Sequence, residues 1–177
     1  VFSDDIRDGI KGNVFEHADK GFVSGKPGME ASLKFGVVAS VPHPQVDYTK
    51  VNYSKASYAK EPWQTITYAE CHDNHVLWDK LALSAKDATE AERTEMHKLA
   101  LSIVLTSQGI SFLHAGTEFL RSKKGVENSF ESPDSINAID WSLKTKNKAV
   151  VDYVKVLIKM RKEHPAFRMT TGKQVAD

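Results

Sequence analysis

The sequence is poor in the features that mark several classes of protein. Cys71 is the one cysteine in 177 residues, so an intramolecular disulfide is excluded. Lys and Arg number 24 against 23 Asp and Glu, which leaves a net charge of +1 and no basic surplus for nucleic acid. No apolar run approaches the roughly 18 residues that a transmembrane helix requires. We therefore expect no nucleic-acid partner and no membrane span.

The start of the chain also lacks two common features. It begins at Val1, without a methionine and without the pattern of a signal peptide. Both absences fit an internal piece of a longer protein, and both also fit a processed mature chain. With 41% hydrophobic and 27% charged residues, the composition is typical of a globular domain with a real core.

The most informative segment is Cys71-His72-Asp73-Asn74-His75, which ends the β-favouring run Trp63-Gln64-Thr65-Ile66-Thr67-Tyr68-Ala69. A strand over residues 65–71 that stops in His-Asp-Asn-His places ionisable groups at the carboxyl end of a strand. In α/β folds the chemistry is located at that end. We therefore expect the functional site to lie around Asp73.

The remaining pattern alternates extended and helical segments. The sequence predicts helices over residues 29–40 and 77–85, a helix from the capping box Thr89-Glu90-Ala91-Glu92 to about residue 107, and a helix over 147–164 that ends at Pro165. The apolar face of the third helix is expected to comprise Met96, Leu99, Ala100, Ile103 and Val104.

Extended structure is expected in the segments between these helices. The sequence predicts a strand end over residues 1–5, a short strand over 110–114 and an extended segment over 166–177, whereas residues 6–25 are predicted to be irregular because of their glycines. Strands that alternate with helices favour a parallel sheet, either a small doubly wound domain or part of a (β/α)8 barrel. The long polar loop over 116–142 favours the barrel, which carries its function in such loops.

Five sequence segments together resemble the type I pullulanases, starch-debranching enzymes of the α-amylase clan of glycoside hydrolases. The stretch from Thr67 to Leu81, which contains His-Asp-Asn-His and Leu-Trp-Asp-Lys, resembles the last of the clan's short sequence blocks. Residues 1–9 with Gly12, 20–25 and 108–119 resemble further pullulanase segments. Asn128-Ser129-Phe130 with Asp134, Asn137, Asp140 and Trp141 resembles the loop after the eighth barrel strand. The resemblance extends to about Phe167.

The resemblance implies an α/β fold that is part of a (β/α)8 TIM barrel, about strands six to eight with their helices. Residues 1–166 would be the C-terminal portion of the catalytic domain, and residues 167–177 would begin a following β-domain. In this family the nucleophilic Asp lies in a Gly-x-Arg-x-Asp block on the fourth strand, and the acid/base Glu lies on the fifth. Neither block occurs in this sequence, so the isolated chain is expected to be inactive.

The resemblance also implies roles for individual residues. Asp73 would be the third catalytic carboxylate, which accepts hydrogen bonds from sugar hydroxyls beside the reacting carbon, and His72 would donate to the same sugar. Asn128, Asp134 and Asn137 would line the substrate cleft, although Asn and Asp are also ordinary turn residues. The substrate would be an α-glucan cleaved at α-1,6 bonds with retention, and the remainder of the parent barrel would be the other partner. No cofactor and no metal ligands are implied.

Three alternatives remain open at the level of sequence. An isoamylase or a branching enzyme shares the barrel and the His-Asp block. Cys71, His72, Asp73 and His75 are all possible ligands of a small metal-binding domain, although neighbouring residues on a strand point to opposite faces. A carbohydrate-binding module would need an exposed aromatic platform, and 9% aromatic residues are unremarkable. The resemblance implies a bacterial parent that is secreted or located at the cell surface.

Overall fold

A computed structural model describes all residues, 1–177, as a mixed α/β structure in which helices predominate. The eight helices are α1 (Asp4–Lys11), α2 (Glu30–Val37), α3 (Leu77–Ser84), α4 (Glu90–Thr106), α5 (Asp134–Asn137), α6 (Ser142–Lys146), α7 (Lys148–Glu163) and α8 (Gly172–Ala176). No helix is both long enough and apolar enough to cross a membrane.

Three short extended segments lie side by side in chain order. Strand β1 (Ile66–Thr67) pairs in parallel with β2 (Ile110–Ser111), and Phe2 forms a parallel bridge to Ile66 on the other side. Helices α1 and α2 lie between the first and second segments along the chain, and α3 and α4 between the second and third. The parallel arrangement is confirmed, and it brings the carboxyl ends of all three segments to one edge.

The core lies between these segments and the helices that follow them. Its largest cluster is apolar and joins α1, α3 and α4, with Ile6, Ile10, Leu77, Leu81, Ala100 and Val104 among its buried members. A second cluster packs α7 on α4 through Leu101, Leu105, Val154 and Leu157. Helix α4 is therefore covered on two sides, which holds the strand–helix unit that carries the Asp73 segment in place.

Helix α4 begins with the capping box that the sequence predicts. The Thr89 side chain accepts a hydrogen bond from the Glu92 amide, and the Glu92 carboxylate accepts one from the Thr89 amide at 2.8 Å. The predicted apolar face is correct for Ala100 and Val104 but wrong for Leu99, which is 42% exposed. The buried residues include Leu101, which packs on α7, and His97, whose Nε2 atom lies 2.8 Å from the Thr117 carbonyl oxygen.

Two segments have more helix than the sequence predicts. Residues 6–25 were expected to be irregular, but α1 occupies Asp4–Lys11, because Gly9 lies inside this helix against α2 and only Gly12, at φ +90°, ends it. Residues 166–177 were expected to be extended, but α8 forms over 172–176 because Thr171 and Gln174 make a capping box. The assignment of residues 167–177 to a following domain stays a prediction.

The strands are shorter than the sequence predicts. Only Ile66 and Thr67 pair within the predicted strand 65–71, and only Ile110 and Ser111 within 110–114. The residues after Thr67 leave the sheet although Tyr68, Ala69 and Glu70 are buried. These side chains therefore serve packing rather than strand pairing.

Candidate functional site

The Asp73 segment lies at the edge where the three parallel segments end. Residues 72–74 form a bend, and the side chains of His72 and Asp73 are 82% and 71% exposed. The His72 Nε2 atom lies 3.5 Å from the Asp73 Oδ1 atom. Asn74 adopts φ +60°, a left-handed conformation that Asn tolerates better than most residues. The bend thus presents an imidazole and a carboxylate to solvent at the carboxyl end of β1.

Two buried ionisable side chains make hydrogen bonds to the backbone that follows this bend. Glu70 is 4% exposed and accepts a hydrogen bond from the amide of Leu77, the first residue of α3. Lys11 is 1% exposed, and its Nζ donates to the carbonyl of His75 at 3.1 Å. Burial raises the pKa of the Glu70 carboxyl and lowers the pKa of Lys11 to about 8. Both contacts hold the backbone that follows Asp73, and the Glu70 contact connects it to the residue at the end of the segment before Asp73.

The long loop after β2 is attached to the same region through α3. The Asp79 carboxylate accepts hydrogen bonds from the Ser122 hydroxyl at 2.6 Å, the Lys123 amide at 2.8 Å and the Gly125 amide at 3.0 Å. The Lys123 Nζ donates to the Ser129 hydroxyl at 2.7 Å and to the His72 carbonyl at 3.4 Å. The loop is therefore held beside the exposed carboxylate of Asp73.

The three other predicted substrate-binding residues all lie on this loop, in different environments. Asn128 and Asp134 are exposed, and no hydrogen bond within the chain engages either side chain. Asn137 is half-buried, and its Nδ2 donates to the carbonyls of Ser129 at 2.6 Å and Ser132 at 2.9 Å. Asn137 thus stabilises the loop, while Asn128 and Asp134 are free to contact a ligand.

His114 follows β2 and reaches the same edge. Burial and the positive charges of Arg121 and Lys123 lower the pKa of its imidazole to about 4, so the ring is neutral at pH 7. Sequence reasoning placed His114 at a strand end but missed Lys11, Glu70 and Lys123 entirely. Their signal is weak in the sequence, since nothing in the pattern marks a lysine or glutamate as buried.

The structure divides the four candidate metal ligands into two groups. Ligand atoms of Cys71, His72 and Asp73 lie within 4.8 Å of one another, because the chain bends at residues 72–74 and is not the extended strand that would alternate their side chains. His75 is 4% exposed and faces His17 and Glu127 instead. A single site made of all four residues is therefore wrong.

Exposed aromatic rings also occur near this edge of the fold. Phe130 is 77% exposed and Trp141 63% exposed, and the Trp141 ring lies 5.7 Å from that of Phe119, centroid to centroid. Trp78 instead packs against His97 and the Arg93 guanidinium. Trp78 therefore serves packing.

Known proteins resemble the chain over nearly its whole length. It is 37% identical over 174 residues to the pullulanase of Bacillus subtilis, an alignment that covers 98% of the chain and 23% of that protein. It superimposes with a TM-score of 0.90 and 46% identity on the crystal structure of the Paenibacillus barengoltzii pullulanase complex with maltohexaose and α-cyclodextrin, covering 99% of the chain and 26% of that structure. The chain is related to one segment of the pullulanases.

This relationship has defined limits. The chain spans about a quarter of the length of these two pullulanases. The isoamylase of Flavobacterium is more distant, with 25% identity over 132 residues, which is 62% of the chain and 17% of that enzyme. No protein-family model matches the chain. The resemblance expected from the five sequence segments is thus confirmed for the pullulanases.

Proposed function

We propose that residues 1–166 form the C-terminal portion of a (β/α)8 catalytic barrel, with Phe2, β1 and β2 on its sixth, seventh and eighth strands. The parent enzyme would hydrolyse α-1,6-glucosidic bonds in pullulan and branched α-glucans. Three parallel segments in chain order, separated by helices, support this assignment. The pullulanase relatives support the reaction, and the maltohexaose in one solved relative supports an α-glucan as the substrate.

The observation that carries the proposal is that the Asp73 carboxylate is exposed and almost without polar contacts. It is 71% exposed and has one polar contact within the chain, the 3.5 Å approach of His72. Its oxygens are therefore free to accept hydrogen bonds from two neighbouring sugar hydroxyls. Bonds of this kind strengthen as the sugar ring flattens toward an oxocarbenium-like transition state, and so they lower the barrier.

Retention of configuration would follow from two other carboxylates. A retaining glycosidase places a nucleophile and a proton donor about 5–5.5 Å apart on either side of the scissile bond. One forms the glycosyl ester, and the other protonates the leaving oxygen and then activates water. The blocks that carry these residues in the family are absent from this sequence. We therefore infer that the chain binds the sugar and stabilises the transition state as part of a larger barrel. Alone, it does not hydrolyse glucans.

The proposal is tested with the full-length parent and pullulan. We expect the wild type to release maltotriose and Asp73→Asn to lose at least about a hundredfold in kcat, as for a lost transition-state hydrogen-bonding group. The control Asp134→Asn alters a free carboxylate on the neighbouring loop and should affect KM more than kcat. Full activity of Asp73→Asn would remove Asp73 from catalysis, and a wild type inactive on pullulan would contradict the reaction itself.

Two alternatives are separated by the same substrates. An isoamylase-type parent would cleave branched glucans and leave pullulan intact, and a branching enzyme would transfer chains without releasing reducing ends. The 37% identity to a pullulanase against 25% to an isoamylase favours the pullulanase reaction. Location outside the cell, in a bacterial parent, is the localisation that we propose with this function.

A further inference from the structure

Three side chains from distant parts of the sequence meet near the Asp73 segment. His17 follows α1, His75 follows the bend, and Glu127 lies in the long loop. The His17 Nε2 atom is 3.0 Å from the Glu127 Oε2 atom. One ligand atom from each of the three residues lies within 4.8 Å of the others. Two imidazoles and a carboxylate are thus assembled from three separate segments.

His75 is the buried member of the group, and one of its nitrogens lacks a partner. The residue is 4% exposed, and its Nε2 lies 3.1 Å from the carbonyl oxygen of Gly125. A carbonyl can only accept, so Nε2 carries the proton and Nδ1 holds a lone pair. The Nδ1 atom is buried without any hydrogen-bond partner. A buried lone pair of this kind costs stability unless something binds it.

We propose that His17, His75 and Glu127 form a binding site for a divalent transition metal of the zinc type. Two neutral imidazoles and one carboxylate are a ligand set that Zn²⁺ accepts, with a water in the fourth position. Tetrahedral bonds of about 2.0–2.1 Å separate ligand atoms by about 3.3 Å. The His17 and Glu127 ligand atoms are 3.0 Å apart, and all three ligand atoms lie within 4.8 Å of one another. Reaching the tetrahedral separation therefore requires these atoms to move by about 1.5 Å or less.

The surroundings of the three residues are already arranged for such a site. The Gly125 carbonyl holds the His75 ring in one tautomer, as carbonyl or carboxylate acceptors commonly do for the free N–H of a metal-binding histidine. The Lys80 ammonium, which is 1% exposed, donates to the carbonyls of Asn13, Glu16 and His17 and so fixes the segment that carries His17. His17 and Glu127 are 49% and 34% exposed in their side chains, which leaves an entry path for the ion.

A metal here would join the residue 13–25 segment and the long loop to the backbone beside Asp73. The competing interpretation is that His17 and Glu127 form an ordinary surface ion pair, against which the His75 ring packs edge-on at 4.6 Å between centroids. An ion pair needs neither the third ligand nor a free nitrogen on His75. The two interpretations therefore differ in measurable metal content.

The test uses the intact protein that carries this chain, stripped with a chelator and then dialysed against Zn²⁺. We expect the wild type to retain one more equivalent of zinc than His17→Ala, which alters a half-exposed side chain and should fold. Glu127→Gln should also lose zinc, and the matched control His164→Ala, an exposed histidine elsewhere, should not. Counting the difference between variants makes the result independent of any other metal in the protein.

Cobalt provides a second readout of the same site. Co²⁺ in place of zinc should give visible absorption bands of a four-coordinate N/O site in the wild type, and these bands should be absent in His17→Ala. Equal zinc content in the wild type, His17→Ala and Glu127→Gln would overturn the proposal and leave the ion pair as the explanation. Cobalt bands that persist in His17→Ala would overturn it too.

Discussion

Helices α1 and α2 touch at Gly36, and this contact gives a sharp prediction. A methyl group added at Gly36 would lie 2.6 Å from the Ile6 Cγ1 atom and closer still to its Cβ, well inside van der Waals contact. Ile6 is fully buried in the main core cluster. Because Ile6 Cβ is bonded directly to the backbone of α1, no rotation of the side chain relieves the clash. Gly36→Ala therefore has to push the two helices apart.

The magnitude follows from two opposing effects. Overpacking a core typically costs about 1–3 kcal/mol, and the fixed position of Ile6 Cβ places this case near the upper value. Alanine is better than glycine inside a helix by about 1 kcal/mol, which offsets part of the loss. The local opening free energy of α1 and α2 should fall by about 2 kcal/mol. Their amides should then exchange with deuterium roughly 30-fold faster, since about 1.4 kcal/mol corresponds to a factor of ten.

The matched control lies on the opposite side of the same interface. Gly9 in α1 faces α2, and a methyl group there would meet the Ser32 Cβ at 3.2 Å, a contact that a shift of a few tenths of an ångström relieves. Gly9→Ala gains the same helix propensity with little overpacking, so its amides should exchange no faster than those of the wild type. Wild-type exchange in Gly36→Ala, or equal acceleration in both variants, would refute the argument from close helix approach.

Two further predictions concern buried side chains. Burial lowers the pKa of His97 to about 4, against about 6.5 when unfolded, so its contribution to stability is intact above pH 6.5 and is lost as the pH falls toward 4. This loss of unfolding free energy is about 2 kcal/mol at pH 5. Thermal unfolding at neutral pH and at pH 5 should show a smaller loss in His97→Gln and an unchanged loss in the exposed control His164→Gln. Asp79→Ala removes the acceptor of three loop donors, so amide exchange at Lys123 and Gly125 should rise at least about tenfold, whereas the exposed control Asp87→Ala should leave it unchanged.

The elements that could be predicted from the sequence are those set by local chemistry. The capping box at Thr89 reports a helix start directly, since both of its hydrogen bonds join residues three apart. The end of α7 before Pro165 follows from the missing amide and fixed φ of proline. The alternation of short extended segments and helices was likewise enough to predict parallel pairing, because parallel strands need a crossover.

Elements set by distant contacts could not be predicted in this way. Gly9 and Gly36 both lower helix propensity, yet each lies inside a helix, because the absence of a side chain allows α1 and α2 to approach closely. The burial of His97 depends on the Thr117 carbonyl, 2.8 Å from its Nε2 atom, and on the ring of Trp78, and no periodicity within α4 contains these contacts. The burial of Lys11 and Lys123 could not be predicted for the same reason, because it depends on the tertiary contacts that surround these side chains.

The five residues 71–75 of the candidate site also combine a feature that the sequence predicts with one that it does not. The sequence placed Asp73 at a strand end, which the structure bears out in position, but it also grouped His75 with Cys71 as metal ligands. In the structure Asn74, with a left-handed backbone at φ +60°, lies between the two groups, and His75 meets different side chains from Cys71. His72 and Asp73 then face solvent, and His75 turns inward toward His17 and Glu127. Residues of one contiguous motif can therefore belong to two different groups of side chains, and the sequence alone does not show which residues belong to each.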